Sequence, residues 1–212
     1  MNEHERQQGA GFEKEPIHNT PGPHEAKEAQ PRDGPRIYVA SLSDYNAGIL
    51  HGEWLEATDD PADMQNSIDA MLQASPTTKR YGDIAEEWAV HDYDGFGELR
   101  LGEYEALSTI TRIAGGIAEH GLAFAAYASI VGTREIDGLE SFEDVYQGEW
   151  ESLEAYAEDL LDQLEAQRTI DEAPEWLQPY LSLDISGFAR DIGSDVTTVD
   201  RPEGGVWVFS NW

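Results

Sequence analysis

Apolar residues recur along this chain with two different periods, and the switches between them outline the elements. Ile37-Tyr38-Val39-Ala40-Ser41-Leu42 and Ile49-Leu50-His51-Gly52-Glu53-Trp54-Leu55 read as strands joined by a polar turn around Asp44 to Gly48, and Trp88-Ala89-Val90-His91 reads as a third. Met64, Ile68, Met71 and Leu72 stand at helical spacing and predict a helix over 63–74, which Ser75-Pro76 ends. Helix signals then dominate, from Glu103 through Leu107, Ile110 and Ile113 to Gly121, and again over 122–131. Leu153, Tyr156, Ala157, Leu160, Leu161 and Leu164 mark one face of a long amphipathic helix from Glu151 to Gln167. A shorter helix over 186–192 precedes a hairpin in which Val196–Val199 pairs with Val206–Phe209 across Glu203-Gly204-Gly205. The pattern predicts an α+β fold of three small modules in an elongated arrangement. A sheet with a helix spans 36–98, a helical module 99–146, and helices with a β-hairpin 147–212. Residues 1–35, rich in Gly, Pro, Gln, Glu and His, are expected to form a disordered tail. Its His4, His18 and His24 match no metal-ligand spacing.

Charge changes this picture more than any other property. The 212 residues carry 43 Asp and Glu against 13 Lys and Arg, a formal net charge of -30, while 40% of the chain is hydrophobic, including six Trp. That is enough apolar material for a core, so the chain folds against its own repulsion. Residues 146–212 alone carry 15 acidic and 3 basic side chains, so the acidity belongs to the folded body. A surface built to bind another polyanion, such as a nucleic-acid-binding cleft, makes such charge useful. With no cysteine, disulfides, thiol catalysis and Cys-based zinc sites are excluded. The longest apolar run, Gly121 to Ile130, is about half the roughly 20 residues needed to cross a bilayer. Met1-Asn2-Glu3-His4-Glu5-Arg6 does not resemble a signal peptide, and a cytoplasmic location is expected.

The predicted 151–167 helix displays the charge in an ordered way. Glu151, Glu154, Glu158, Asp162 and Glu165 recur at steps of three, four, four and three, a stripe of about 21 Å at ~1.5 Å per residue, with no Lys or Arg between them. A solvated helix face explains most charge runs; a run unrelieved in every module also fits mimicry of phosphates. Asp92, Asp94 and Glu98 form a second acidic group.

Competing readings rest on particular residues. Asp92-Tyr93-Asp94-Gly95-Phe96-Gly97-Glu98-Leu99-Arg100-Leu101-Gly102-Glu103 approximates an EF-hand calcium loop, but Phe96 offers no ligand at position five and Trp88–His91 is strand-like where a helix is required. Broad acidity with few lysines (Lys14, Lys27 and Lys79) also fits a protein of a salt-loving cell. An enzyme needs a site, and the sequence has no Gly-rich phosphate loop, nucleophile elbow or paired-His motif. His51, His91 and His120 are far apart in sequence, and Gly-Glu-Trp at 52–54 and 148–150 is too short to establish a repeat or a glycosidase carboxylate pair.

Three stretches together carry a family resemblance. They are Ile37 to Asn46 with Gly52-Glu53-Trp54; His91-Asp92-Tyr93-Asp94-Gly95-Phe96 followed by Glu103-Tyr104; and Tyr146-Gln147-Gly148-Glu149-Trp150-Glu151-Ser152-Leu153-Glu154-Ala155-Tyr156-Ala157. With Asp184 to Asp191 and Val206 to Trp212 they resemble the ArdA antirestriction family over roughly residues 36–212. The resemblance implies a dimeric, non-catalytic DNA mimic encoded on mobile elements that occupies the DNA-binding groove of type I restriction-modification enzymes. It implies that the antirestriction region is the Glu149 to Asp162 segment and that dimers form through the third module. Trp207 and Phe209 are candidates for that interface, with ordinary strand core as the competing reading. The expected partners are the methyltransferase core of such an enzyme and a second copy of the chain. No cofactor, metal, nucleic acid or membrane is expected.

Overall fold

The computed structural model describes residues 34–58, 60–82, 84–133 and 139–211. Residues 1–33 of the predicted N-terminal tail lie outside the described residues; Pro35, counted in that tail, is buried, and its carbonyl accepts from Ala57 N at 2.9 Å, so it belongs to the folded body. Strands β1 (Arg36–Ser41), β2 (Gly52–Glu56) and β3 (Trp88–Asp94) form an antiparallel sheet in the order β2-β1-β3. Alternation along β1 sends Ile37 and Val39 into the core, where Met64, Ile68, Met71 and Leu72 of helix α2 (Pro61–Gln73) are also buried. Gly52 is required at the start of β2, because a Cβ there would meet the Val39 carbonyl and the Tyr38 ring. The expected polar turn at 44–48 is instead begun by a short helix, α1 (Leu42–Asn46).

Asp44 explains that helix. It has no exposed surface, and its Oδ1 accepts from Ser75 Oγ at 3.0 Å and from Thr77 N at 2.8 Å. The carboxylate thereby caps helix α3 (Pro76–Tyr81), tying two chain segments together. Burial alone would raise its pKa, but hydrogen bonds from Ser41, Thr77 and Ser75 outweigh burial and hold the carboxyl well below the usual carboxylate range.

Helices α4 (Leu107–His120) and α5 (Leu122–Val131) pack through Ile110, Ile113, Phe124 and Ala128. Gly116 lets them approach, since a Cβ there would strike the Phe124 ring. Helix α6 (Leu139–Val145) then leads into a second antiparallel sheet made by β4 (Tyr146–Trp150), β5 (Val196–Asp200) and β6 (Val206–Ser210), in the order β4-β6-β5. The predicted hairpin is present; strand β4 was not anticipated. One apolar cluster runs from Ile37 and Val39 through Ile113, Phe124 and Phe142 to Trp207 and Phe209. Phe142 sits 4.9 Å from the Tyr146 ring and 6.3 Å from Phe209, so this sheet is seated on α5 and α6 by aromatic contacts. Among the described residues no helix is long and apolar enough to cross a membrane.

Candidate acidic interaction surface

The acidic surface of the last block is built on helix α7 (Leu153–Gln163), and the residues before it fix its start. Gly205, with φ of 82°, lies so close to the end of β4 that a Cβ would overlap the Trp150 carbonyl. Two residues on, Ser152 Oγ accepts from Ala155 N at 3.2 Å and caps the helix. Tyr156 and Ala157 are buried, and the Tyr156 ring stands 5.4 Å from Trp150. Burial, with a smaller contribution from Asp159, pushes the Tyr156 phenol pKa up. Helix α9 (Ile185–Ile192), capped by Asp184 on Gly187 N at 2.9 Å, packs against α7.

On the outward face Glu154, Glu158 and Asp162 are all exposed at spacings of four residues. Among the described residues none of the three side chains makes a hydrogen bond or an ion pair. A rise of about 6 Å separates each from the next, so the ordered row is about 12 Å long.

The stripe inferred from sequence needs correction at both ends. Residues 151–167 are not one helix: α7 stops at Gln163, Glu165 adopts a left-handed conformation (φ 53°), and a separate helix α8 (Ala166–Asp171) follows. Leu164, counted on the buried face, is 69% exposed. Glu151 is exposed before the helix begins. Glu165 does have a cation beside it, because Arg168 reaches Glu165 Oε2 and Glu172 Oε1, each at 2.8 Å. Glu149, also in the inferred antirestriction segment, pairs with Arg201 at 3.0 Å.

The second acidic group is also divided by the structure. Asp92, Asp94 and Glu98 are exposed, but Asp94 is bound to Arg36 at 3.1 Å, and the Arg36 guanidinium lies 4.6 Å over the Trp54 ring. Asp92 and Asp94 sit on β3, and Phe96 is 1% exposed in the core, so a strand occupies the place of the helix that an EF-hand requires.

The three body histidines do not converge. His51 Nε2 is 2.7 Å from the Met71 carbonyl, His91 meets Tyr45 edge to face, and His120 lies against Phe142 at 4.7 Å. Among the described residues one group has metal-ligand spacing: Glu119, His120 and Glu143, with donor atoms within 4.8 Å of one another and both carboxylates exposed.

Trp207 and Phe209 lie on β6, the central strand of its sheet, with 8% and 0% exposure. Their side chains are therefore strand core, as in the competing reading, and offer little surface to a partner. The exposed apolar side chains of this block are instead Leu164, Trp176 at 72%, Tyr180 at 81% and Leu181. The sequence reading missed them because 172–182 has no helical or strand period; Pro174 and Pro179 were the available signals of an irregular, outward-turned segment.

A search of curated proteins returned no match. The family profile described as antirestriction protein (ArdA) matches residues 37–205, which takes in the first sheet from its second residue, the whole acidic helix, and β4 and β5 of the second sheet. The chain belongs to the ArdA antirestriction family.

Proposed function

We infer that this protein blocks type I restriction-modification enzymes by mimicking DNA, occupying their DNA-binding groove without a catalytic step. The observation that carries the reading is the row Glu154, Glu158 and Asp162: exposed, unpaired among the described residues, and evenly spaced on a capped helix whose other face is packed. The roughly 6 Å step is comparable to the separation of neighbouring phosphates along a strand. Lysines and arginines placed to neutralise phosphates can bind such a row, and counterions held on both surfaces are released on association. Rigidity distinguishes the row from a flexible polyanion, which carries charge without fixed spacing.

The test is competition between this chain and labelled operator-length DNA for a purified type I methyltransferase core, repeated over a salt series. Displacement that weakens steeply with salt is expected; displacement independent of salt, or none, rejects the reading.

Self-association belongs to the same proposal. An interface between chains of this charge must be locally apolar to overcome repulsion, and Leu164, Trp176 and Tyr180 supply exposed apolar surface in the last block. Sedimentation of the parent and of Trp176→Asp should give a dimer and a folded monomer. A monomeric parent at micromolar concentration removes the dimer and leaves mimicry standing.

A further inference from the structure

A concavity of about 520 Å³ opens beside strand β3, and its lining differs from the rest of the acidic surface. Three separate stretches supply it: Tyr45 from α1, His91 and Tyr93 from β3, and Glu103 and Tyr104 from the segment leading to α4. Backbone pairing fixes that last segment on the edge of the sheet, with Val90 N donating to Glu103 O at 2.9 Å. The register between β1 and β3 slips at this point: Tyr38 faces Asp92 and Val39 faces Val90, so His91 has no partner across the ladder. Such a bulge re-aims side chains out of the regular alternation, and here it leaves the His91 ring exposed. Its imidazole holds Tyr45 edge to face at 4.6 Å, while Tyr93 is braced by Phe96 at 6.0 Å. Tyr45 is still 56% exposed and Tyr104 is 73% exposed, although both are large aromatic residues.

Three tyrosines and a glutamate lining one concavity supply the chemistry that recognises an organic cation. Ring faces attract the charge through their quadrupoles, and the carboxylate adds direct attraction. Phosphate mimicry does not use the rings at all. The chain itself practises the same contact elsewhere, with Arg36 over Trp54 and Arg80 over Tyr81 at 5.3 Å. Guanidinium is the cation that stacks best, being planar and weakly hydrated.

We propose that the concavity formed by Tyr45, Tyr93, Tyr104 and Glu103 is an aromatic cage for an arginine side chain of the restriction-modification partner. The proposal rests on the mimicry reading for the identity of the partner. It assigns this face a second mode of recognition: carboxylates replace phosphates, while the cage takes an arginine by stacking, as a base or an aromatic ring would.

Two measurements test it on the full chain. In NMR titrations, argininamide should shift the ring signals of Tyr45, Tyr93 and Tyr104, and the neutral isostere citrullinamide should not; equal shifts or none overturn the cage. In binding to the methyltransferase core, Tyr104→Leu should weaken affinity about 3- to 10-fold and Tyr104→Phe should leave it unchanged. The dependence on salt should stay the same in both variants. An unaltered affinity for Tyr104→Leu, or an equal loss in Tyr104→Phe, overturns the assignment of a partner arginine to the cage. If the parent binds no methyltransferase core, mimicry fails and the partner assignment fails with it, while the argininamide titration still decides whether the cage exists.

Discussion

Replacing Glu154 and Glu158 by Gln and Asp162 by Asn removes three charges from the outward face of α7 without changing its packed face. Two like-charge steps of four residues disappear, each worth about 0.2–0.5 kcal/mol of helix stability. Against this, Glu154 lies in the first turn, where it complements the helix dipole by about 0.3–1 kcal/mol. The two contributions nearly cancel, so thermal unfolding should move by no more than about 2–4 °C. Binding should respond differently. Each phosphate-like contact contributes at most the duplex-DNA value of about 0.9 to the slope of log affinity against log salt, so loss of all three lowers the slope by up to about 2.7. At physiological salt that corresponds to a loss of up to about 100-fold. Fluorescence competition against labelled DNA on a methyltransferase core, at four or five salt concentrations, measures both quantities. An unchanged slope with an unchanged melting temperature identifies the row as a solvated helix face and refutes its part in mimicry.

Other consequences concern the scaffold. Asp44→Ala leaves Thr77 N and Ser75 Oγ without their buried acceptor and should cost about 2–4 kcal/mol in denaturant unfolding. Because the folded Asp44 carboxyl titrates below its unfolded counterpart near ~3.9, its stabilisation is present above that pH and is lost as pH falls through the folded value. The stability gap between parent and Asp44→Asn should therefore shrink in acid, and a gap constant below pH 4 contradicts a charged Asp44. Glu165→Gly relieves a left-handed backbone conformation and should stabilise the chain by about 0.5–1 kcal/mol in the same assay; a loss of stability shows that the Glu165 side chain outweighs the backbone effect. Gly205→Ala forces a Cβ onto the Trp150 carbonyl in a left-handed conformation and should cost about 2–4 kcal/mol, and a neutral effect rejects the close approach at the entry to α7.

What the sequence disclosed divides along physical lines. Elements defined by one-sided burial were legible: Met64, Ile68, Met71 and Leu72 gave α2 to within two residues, and the alternation in 37–41 gave β1. The break after α7 was not, because Leu164 continues the apolar period although it faces water, and no Gly, Asn or Pro marks the left-handed residue. Strand β4 escaped for a related reason: Gly148, with φ of 103°, interrupts an already short alternation. Trp207 and Phe209 carried a usable signal. A continuous apolar run, Val206 to Phe209, fits a strand covered on both faces better than one presenting an edge to a partner. Side-chain pairings such as Asp94 with Arg36 and the gathering of Tyr45, Tyr93 and Tyr104 depend on distant segments meeting, and spacing along a chain does not encode them.

Shortening the ordered row from about 21 Å to about 12 Å changes what the proposed mimicry requires. Three carboxylates span two phosphate steps, which is too small a footprint to occupy a groove built for a duplex. Further acids must contribute, and those on other elements are differently available. Asp94 is committed to Arg36 and Glu165 to Arg168, whereas Asp92 and Glu98 are exposed and pair with no cation among the described residues. If both patches meet the same partner, Asp92→Asn with Glu98→Gln should lower the salt slope by up to about 1.8. Added to the α7 triple variant, the five changes should lower it by up to about 4.5, since separate sites without shared contacts act additively. A double variant that leaves the slope untouched confines the footprint to the last block, and the remaining contacts must then come from acids around α7 and α9.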